Sequence, residues 1–305
     1  MQQAFRSRLS NRRWHLQHGP IDIVLGAEGD AAAVAQAHEA AWQRFETVLA
    51  ELVAELPVLR APVVADACPL NGVIARRMWH ACRPHRARLI TPMAAVAGAV
   101  AEELIGCYRR AGIERAWVNN GGDIALHLAP GASVRVGLYA DLARFDPGAG
   151  VAGVDGDFEL HAALPVRGVA TSGWRGRSFS LGIADSVTVL ARSASIADAA
   201  ATVIANAVDV DDARVARRPA NQIRDDADLG DLAVTVAVLP MPAELVQQAL
   251  RAGERCARAL QRDGLIHAAM LVCQHRFVSV EARVGVDVEV VRAPSLAREP
   301  VSVPA

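Results

Sequence analysis

Strand-like and helix-like segments alternate along this chain in an order that occurs early and returns in the last third, and that order points to an α+β fold. Between Trp14 and Leu25 the string WHLQHGPIDIVL holds two short strand-like runs broken at Gly19-Pro20, which reads as a hairpin or tight corner. From Ala31 to Leu56, Val34, Ala37, Ala41, Phe45, Val48, Leu49 and Leu52 recur at helical spacing, and Pro57 stops the pattern. Thr91-Pro92 supplies an N-cap and a first-turn proline for a helix that runs to about Ala111, with Gly112 as its stop. Strands follow in AWVNNGGDIALHL, VRVGLY, FELHAALPVRGVATSG and SVTVLA, before Ala194 to Val208 returns to helix. The last third repeats the alternation: LAVTVAVL as strand, Pro242 to Asp263 as helix, LIHAAMLVC and RFVSVE as strands. Asp209 to Asp231 reads as a long polar surface loop, and the Pro-rich stretch after Arg292 as a loose tail.

At 305 residues the chain is about twice the usual size of one domain, and the repeated strand, strand, helix order suggests internal duplication. Residues 1–292 are accordingly expected to form one domain of two intimately packed halves, with a motif core at 115–208 and a loose tail at 293–305. Apolar residues make up 52% of the chain and aromatics only 4%, so the core must be filled by small side chains at close range. A formal net charge of -1 gives no overall field to gather nucleic acid or an anionic membrane, so anion recognition must be local. The five cysteines lie far apart with no C-x-x-C, which fits reduced thiols and a cytoplasmic location. Arg6, Arg8, Arg12 and Arg13 are not followed by the apolar run of a secretory signal, and Pro92 to Tyr108, the most apolar long stretch, is interrupted by Glu102 and Glu103. No membrane span is expected.

Three strings carry candidate chemistry. In Asn119-Asn120-Gly121-Gly122-Asp123-Ile124, paired glycines after a strand let the backbone approach a ligand, and Asp123 can accept from ribose or base donors or sit near a metal; hairpin turns use the same residues. Arg167 to Ser178 (RGVATSGWRGRS) joins small residues and hydroxyls to Arg175 and Arg177, the ingredients of a phosphate nest or of a glycine-rich surface loop. In Ala197-Asp198-Ala199-Ala200-Ala201-Thr202, the oxygens of Asp198 and Thr202 project from one helix face and suit a hard cation such as Mg²⁺; a helix cap at Ser195 or Asp198 is the alternative. The histidines show no metal-ligand spacing, and no Ser-His-Asp order or G-x-S-x-G elbow is present.

The ordered strings N-x-G-G-D-I, A-T-S-G, S-V-T-V-L and A-D-A-x-A-T resemble the ApbE-like superfamily of FAD:protein FMN transferases, over about Arg115 to Val208. The resemblance implies a duplicated T-fold-like α+β architecture with mixed sheets covered by helices. It also implies a flavin site (FAD or FMN) bordered by Asn119, Gly121, Gly122, Asp123, Thr171, Ser172 and Gly173, Mg²⁺ held by Asp198 and Thr202, and a partner flavoprotein as acceptor. One segment departs from the pattern. The H-x-x-D-P-x-T-G stretch of the transferases is replaced by the shorter WRGRSFSLGIADSV, in which Arg175, Arg177 and Asp185 are the remaining candidates for catalysis. Guanidinium can offset pyrophosphate charge but does not trade protons near neutral pH as imidazole does. The expectations are therefore a Mg²⁺-dependent FAD-cleaving or FMN-transferring enzyme, a non-catalytic flavin or nucleotide module, or an enzyme of another heterocycle.

Overall fold

The computed structural model describes residues 3–10, 12–138, 156–176, 178–225, 227–281 and 291–292. Arg177 and the expected tail fall outside them.

The chain opens with β1 (Phe5–Arg8), β2 (Trp14–His18) and β3 (Ile21–Gly29), and β2 and β3 form the hairpin expected at Gly19-Pro20. Helix α1 (Ala31–Ala54) is capped by Asp30, whose side chain accepts from the Ala33 amide, and buries Ala37, Ala41, Phe45, Val48 and Leu52 on one face. The short α2 (Leu56–Leu59) carries Pro57 in its first turn, α3 (Val73–Cys82) follows, and α4 (Val96–Ile105) lies between two 3₁₀ turns at Pro92–Ala95 and Gly106–Tyr108. The apolar segment expected as one helix thus has a 3₁₀ turn at each end, and α3 was not expected at all.

Strands β4 (Ile113–Asn120), β5 (Asp123–Leu128), β6 (Ser133–Leu138), β7 (Gly156–His161), β8 (Gly168–Ser172) and β9 (Ser186–Ala191) lead to α5 (Ala194–Ala207). Then come β10 (Val215–Pro219), β11 (Ala233–Val238), α6 (Ala243–Arg262), β12 (Ala268–Cys273), β13 (Arg276–Val280) and β14 (Val291–Arg292). The expected loop from Asp209 to Asp231 contains β10, which pairs with β11 in a two-stranded ribbon; the polar residues that suggested a loop are Arg217 and Arg218, on strand positions.

Nine strands form one sheet in the order β1-β2-β3-β4-β5-β8-β9-β12-β13, and every neighbouring pair is antiparallel. The expected mixed sheet is corrected here, and the connections give the reason. One crossover helix delivers the chain to the far end of the sheet and produces a parallel neighbour. Here the β3–β4 connection runs through α1, α2, α3 and α4, and the β9–β12 connection through α5, the β10–β11 ribbon and α6, so each long connection returns the chain to the end of the sheet it left. The order strand, strand, long helical connection, strand, strand occurs twice, as β2-β3 to β4-β5 across α1–α4 and β8-β9 to β12-β13 across α5, the β10–β11 ribbon and α6, in keeping with the duplicated T-fold-like arrangement that the resemblance implies. The two rounds meet where β5 pairs with β8.

The main core lies between this sheet and its helices, with Ile23, Leu25, Phe45, Met78, Leu104, Val118, Val189, Ile204 and Leu250 in one cluster. A smaller cluster of Leu126, Val136, Phe158, Leu160, Val169 and Leu190 lies on the other face, beneath the sheet β14-β7-β6. Strand β9 is covered on both faces, so Ser186–Ala191 is buried throughout. No helix among the described residues is long and apolar enough to cross a membrane.

His85, in the 3₁₀ turn after α3, is buried, and its Nε2 has no hydrogen-bond partner among the described residues. Burial, helped by the nearby Arg88 charge, lowers its pKa from 6.5 to about 4. The unfolded chain therefore takes up this proton first. Stability from neutral His85 is complete above about pH 6.5 and is lost as the pH falls toward 4, up to about 3 kcal/mol. Urea midpoints measured from about pH 7 to about pH 4.5 should fall for the wild type and fall less for His85→Met.

Candidate functional site

The hairpin turn between β4 and β5 is the two residues Gly121 and Gly122, at φ +66° and +114°. Both angles favour glycine, and the Asn119 side chain holds the turn by accepting from the Gly122 amide at 2.8 Å. The hairpin reading of this string is thus correct as geometry. A Cβ at Gly122 would meet no protein atom within 4 Å, so the glycine is required by its angle, and the space beside it is open.

Strand register brings the other two strings toward this turn. Ile124 faces Val169 across the β5–β8 pair, which sets the end of β8 beside the start of β5. Asp123 is buried, and its Oδ1 accepts from the Thr171 amide at 3.1 Å. The Thr171 hydroxyl turns to Thr188 on β9, 3.0 Å away, while Ser172 is half-buried. Gly173 lies against the backbone of Ala184 and Asp185, too close for any side chain.

Asp198 comes from the second turn of α5. Its Oδ2 accepts from the Gly98 amide at 2.9 Å, in the first turn of α4. It caps the neighbouring helix rather than its own, where a carboxylate is favoured by the helix dipole. Ser195, the other expected cap, instead donates its hydroxyl to Glu102 at 2.7 Å. Gly98 makes this crossing close: a Cβ there would strike the Ala194 carbonyl and the Ser195 amide. Asn120 ties the end of β4 to the same place by donating to the Ala97 carbonyl at 3.1 Å. Thr202 lies one turn beyond Asp198 on α5 and is half-buried.

Both carboxyls are held above the usual range, and Asp198 feels the charge of Asp123. Burial raises Asp123 from 3.8 to about 7, against the opposing pull of the Thr171 amide. Burial first, and the Asp123 charge second, hold Asp198 well above the usual carboxylate range. A buried pair of this kind is relieved by a shared proton or by a cation, and its all-oxygen donors suit a hard one such as Mg²⁺. Among the described residues no group of three or more His, Cys, Asp or Glu could hold a metal. A cation here would therefore depend on these carboxylates, on hydroxyl or carbonyl oxygens, and on oxygens from a ligand and water.

Asp185 and Arg175 lie beside the loop after β8. Asp185 is buried and accepts from the Trp174 indole at 3.3 Å and from the Gln274 amide at 2.5 Å. The Arg175 guanidinium stacks 5.0 Å from the Trp174 ring centroid, with its Nε 3.5 Å from Asp185. These contacts make Asp185 an anchor between the Trp174 loop and the β12–β13 hairpin. Asn120, Gly98, Thr188 and Gln274 also shape the site. Asn120 lay in plain view beside Asn119, and Thr188 within the S-V-T-V-L string, whereas Gly98 and Gln274 are remote in sequence from the motifs they support.

Residues 6–284 match the model of a family described as AbpE bacteria. The chain belongs to this family. It is accordingly a member of the ApbE-like superfamily, as the four motifs implied. It is 37% identical over 168 residues to a UPF0280 protein of Methanothrix thermoacetophila, a match covering 54% of this chain and 65% of that protein. It is 40% identical over 166 residues to a UPF0280 protein of Methanopyrus kandleri, covering 54% and 61%. The matched stretch is thus less than two thirds of either relative's length. The crystal structure of the apo form of Pseudomonas stutzeri flavinyl transferase ApbE aligns over 92% of this chain and 94% of its own, at 12% identity and a TM-score of 0.42.

Proposed function

We propose that this protein binds a flavin nucleotide, FAD or FMN, with Mg²⁺ where the two halves meet, and that it acts at the pyrophosphate of FAD. The reaction is transfer of FMN to a hydroxyl of an acceptor flavoprotein, or hydrolysis of FAD to FMN and AMP. The observation that supports this most is the pair of buried, raised carboxylates, Asp123 and Asp198, one bonded to the Thr171 amide and the other to the Gly98 amide, beside an open glycine turn. When bound, Mg²⁺ supplies Lewis-acid polarisation of phosphoryl oxygens. Asp198 and Thr202 would hold it, with Asp123 near enough to bias its charge. Asn119 keeps the Gly121-Gly122 backbone in place along the nucleotide, while Thr171, Ser172 and Gly173 border its other side. Arg175, and Arg177 outside the described residues, would offset negative charge on the departing AMP.

A second reading, a flavin-binding module without turnover, is favoured by the commitment of the Asp185 carboxylate to Trp174 and Gln274. Among the described residues, the hydrogen bonds that join Asn119, Asp123, Thr171 and Asp198 to their partners also include no histidine.

Asp198→Ala separates the two readings. Protein purified from cells should show a flavin absorption spectrum on addition of FAD and Mg²⁺, and chromatography should recover FMN and AMP from the wild type but not from the variant. Flavin binding without turnover in either protein selects the module. Absence of flavin binding and turnover from the wild type overturns both.

A further inference from the structure

We propose that the groove between α6 and the edge strand β13 is a second anion site that takes a polyphosphate group. The groove has a volume of about 570 Å³ and is lined by Glu244, Gln247, Gln248, Arg251, Arg255 and Arg276. That volume lies within the usual range of small-molecule sites.

Gln247, Arg251 and Arg255 recur every four residues and so form one stripe along α6. Arg276 reaches the groove from β13, where Val278 packs on the core and Val280 is buried, so the alternation of the strand sets Arg276 on the side of the helix. All three arginines are exposed, and among the described residues no acidic group pairs with any of them. Arg258, on the same helix, shows the contrast: it is bound by Glu254 at 2.7 Å. The acid in the groove, Glu244, lies seven residues from Arg251, about 10 Å along the helix axis.

Three guanidinium groups share the groove with a single carboxylate, that of Glu244, so positive charge is in excess and a multiply charged anion relieves the repulsion among them. Guanidinium forks also match phosphate oxygens two at a time. Arginines supplied by a helix and a strand can flank successive phosphates of one chain, which a single carboxylate does not span. Gln247 and Gln248 lie between the basic end and Glu244, offering amide donors and acceptors to the remainder of such a ligand. The chain's net charge of -1 provides no field to collect a long polyanion, which favours a small ligand over nucleic acid.

The proposal does not depend on the carboxylate site, and titration calorimetry in EDTA keeps the two apart. Pyrophosphate and ATP are titrated separately into the wild type, Asp198→Ala and the double variant Arg251→Gln/Arg276→Gln. The expected result is one site in the wild type, unchanged by Asp198→Ala and weakened about tenfold or more in the double variant, whose circular dichroism matches the wild type. Equal affinity for the two ligands would mean that the groove reads two phosphates alone, and tighter ATP binding that it also reads the third phosphate or the nucleoside. Any of four results overturns the proposal: no binding of either anion, affinity unchanged in the double variant, binding lost in Asp198→Ala, or tighter binding of single-stranded DNA than of pyrophosphate.

Discussion

In the absence of divalent cations, Asp123→Asn should be more stable than the wild type at about pH 8, and this advantage should disappear as the pH approaches 4. The sign follows from the raised carboxyl. Between the unfolded value of 3.8 and the folded value of about 7, the native protein keeps a proton that the unfolded chain releases, so wild-type stability falls as the pH rises through that interval. Above about 7 the buried charge is present in full, at a cost of order 4 kcal/mol for the isolated shift. Asn has the same shape and an oxygen for the Thr171 amide, but no charge to desolvate. Added Mg²⁺ should raise the melting temperature of the wild type near pH 8 and that of the variant by less. Parallel pH profiles for the two proteins in EDTA would show that the Asp123 carboxyl is not raised.

Gly98→Ala should unfold at a markedly lower urea concentration than the wild type, although alanine is the better helix former. Propensity alone would favour the substitution by about 1 kcal/mol. The added methyl would, however, meet the backbone of Ala194 and Ser195, which cannot turn aside as the end of a side chain can. Overpacking of this kind costs about 1–3 kcal/mol, and separating α4 from α5 also removes the Gly98 amide from Asp198. Gly106→Ala is the control. It lies just beyond α4 at φ -56°, with nothing within 4 Å of the added carbon, and should be neutral or slightly stabilising. Equal midpoints for the two variants would show that the α4–α5 crossing tolerates a side chain.

Much of the site was legible because its motifs are local. Gly121-Gly122 announces a turn with two positive φ angles, and Asp198 and Thr202 share a helix face by spacing alone. Partners were the harder matter. Asp198 looked like a ligand or a cap of its own helix, and nothing near it in sequence indicates that its oxygen would meet Gly98, one hundred residues earlier. Asp185 looked like a candidate for catalysis, and nothing near it in sequence indicates that the β12–β13 hairpin would bring the Gln274 amide to its carboxylate.

The sequence by itself determined the elements whose signals are short-ranged: the hairpins, the amphipathic α1 and α6, the glycine turn and the order of strands and helices that repeats. Tertiary structure alone decided how those elements pair. Long connections that return to the end of the sheet they left turned an expected mixed sheet into an antiparallel one, a polar stretch became strand β10 because β11 lay beside it, and two carboxylates seventy-five positions apart came to share one charge environment. The physical reason is common to all three. Propensity and periodicity act over a few residues, whereas strand pairing, desolvation and the field of a neighbouring charge depend on which distant segments are packed together.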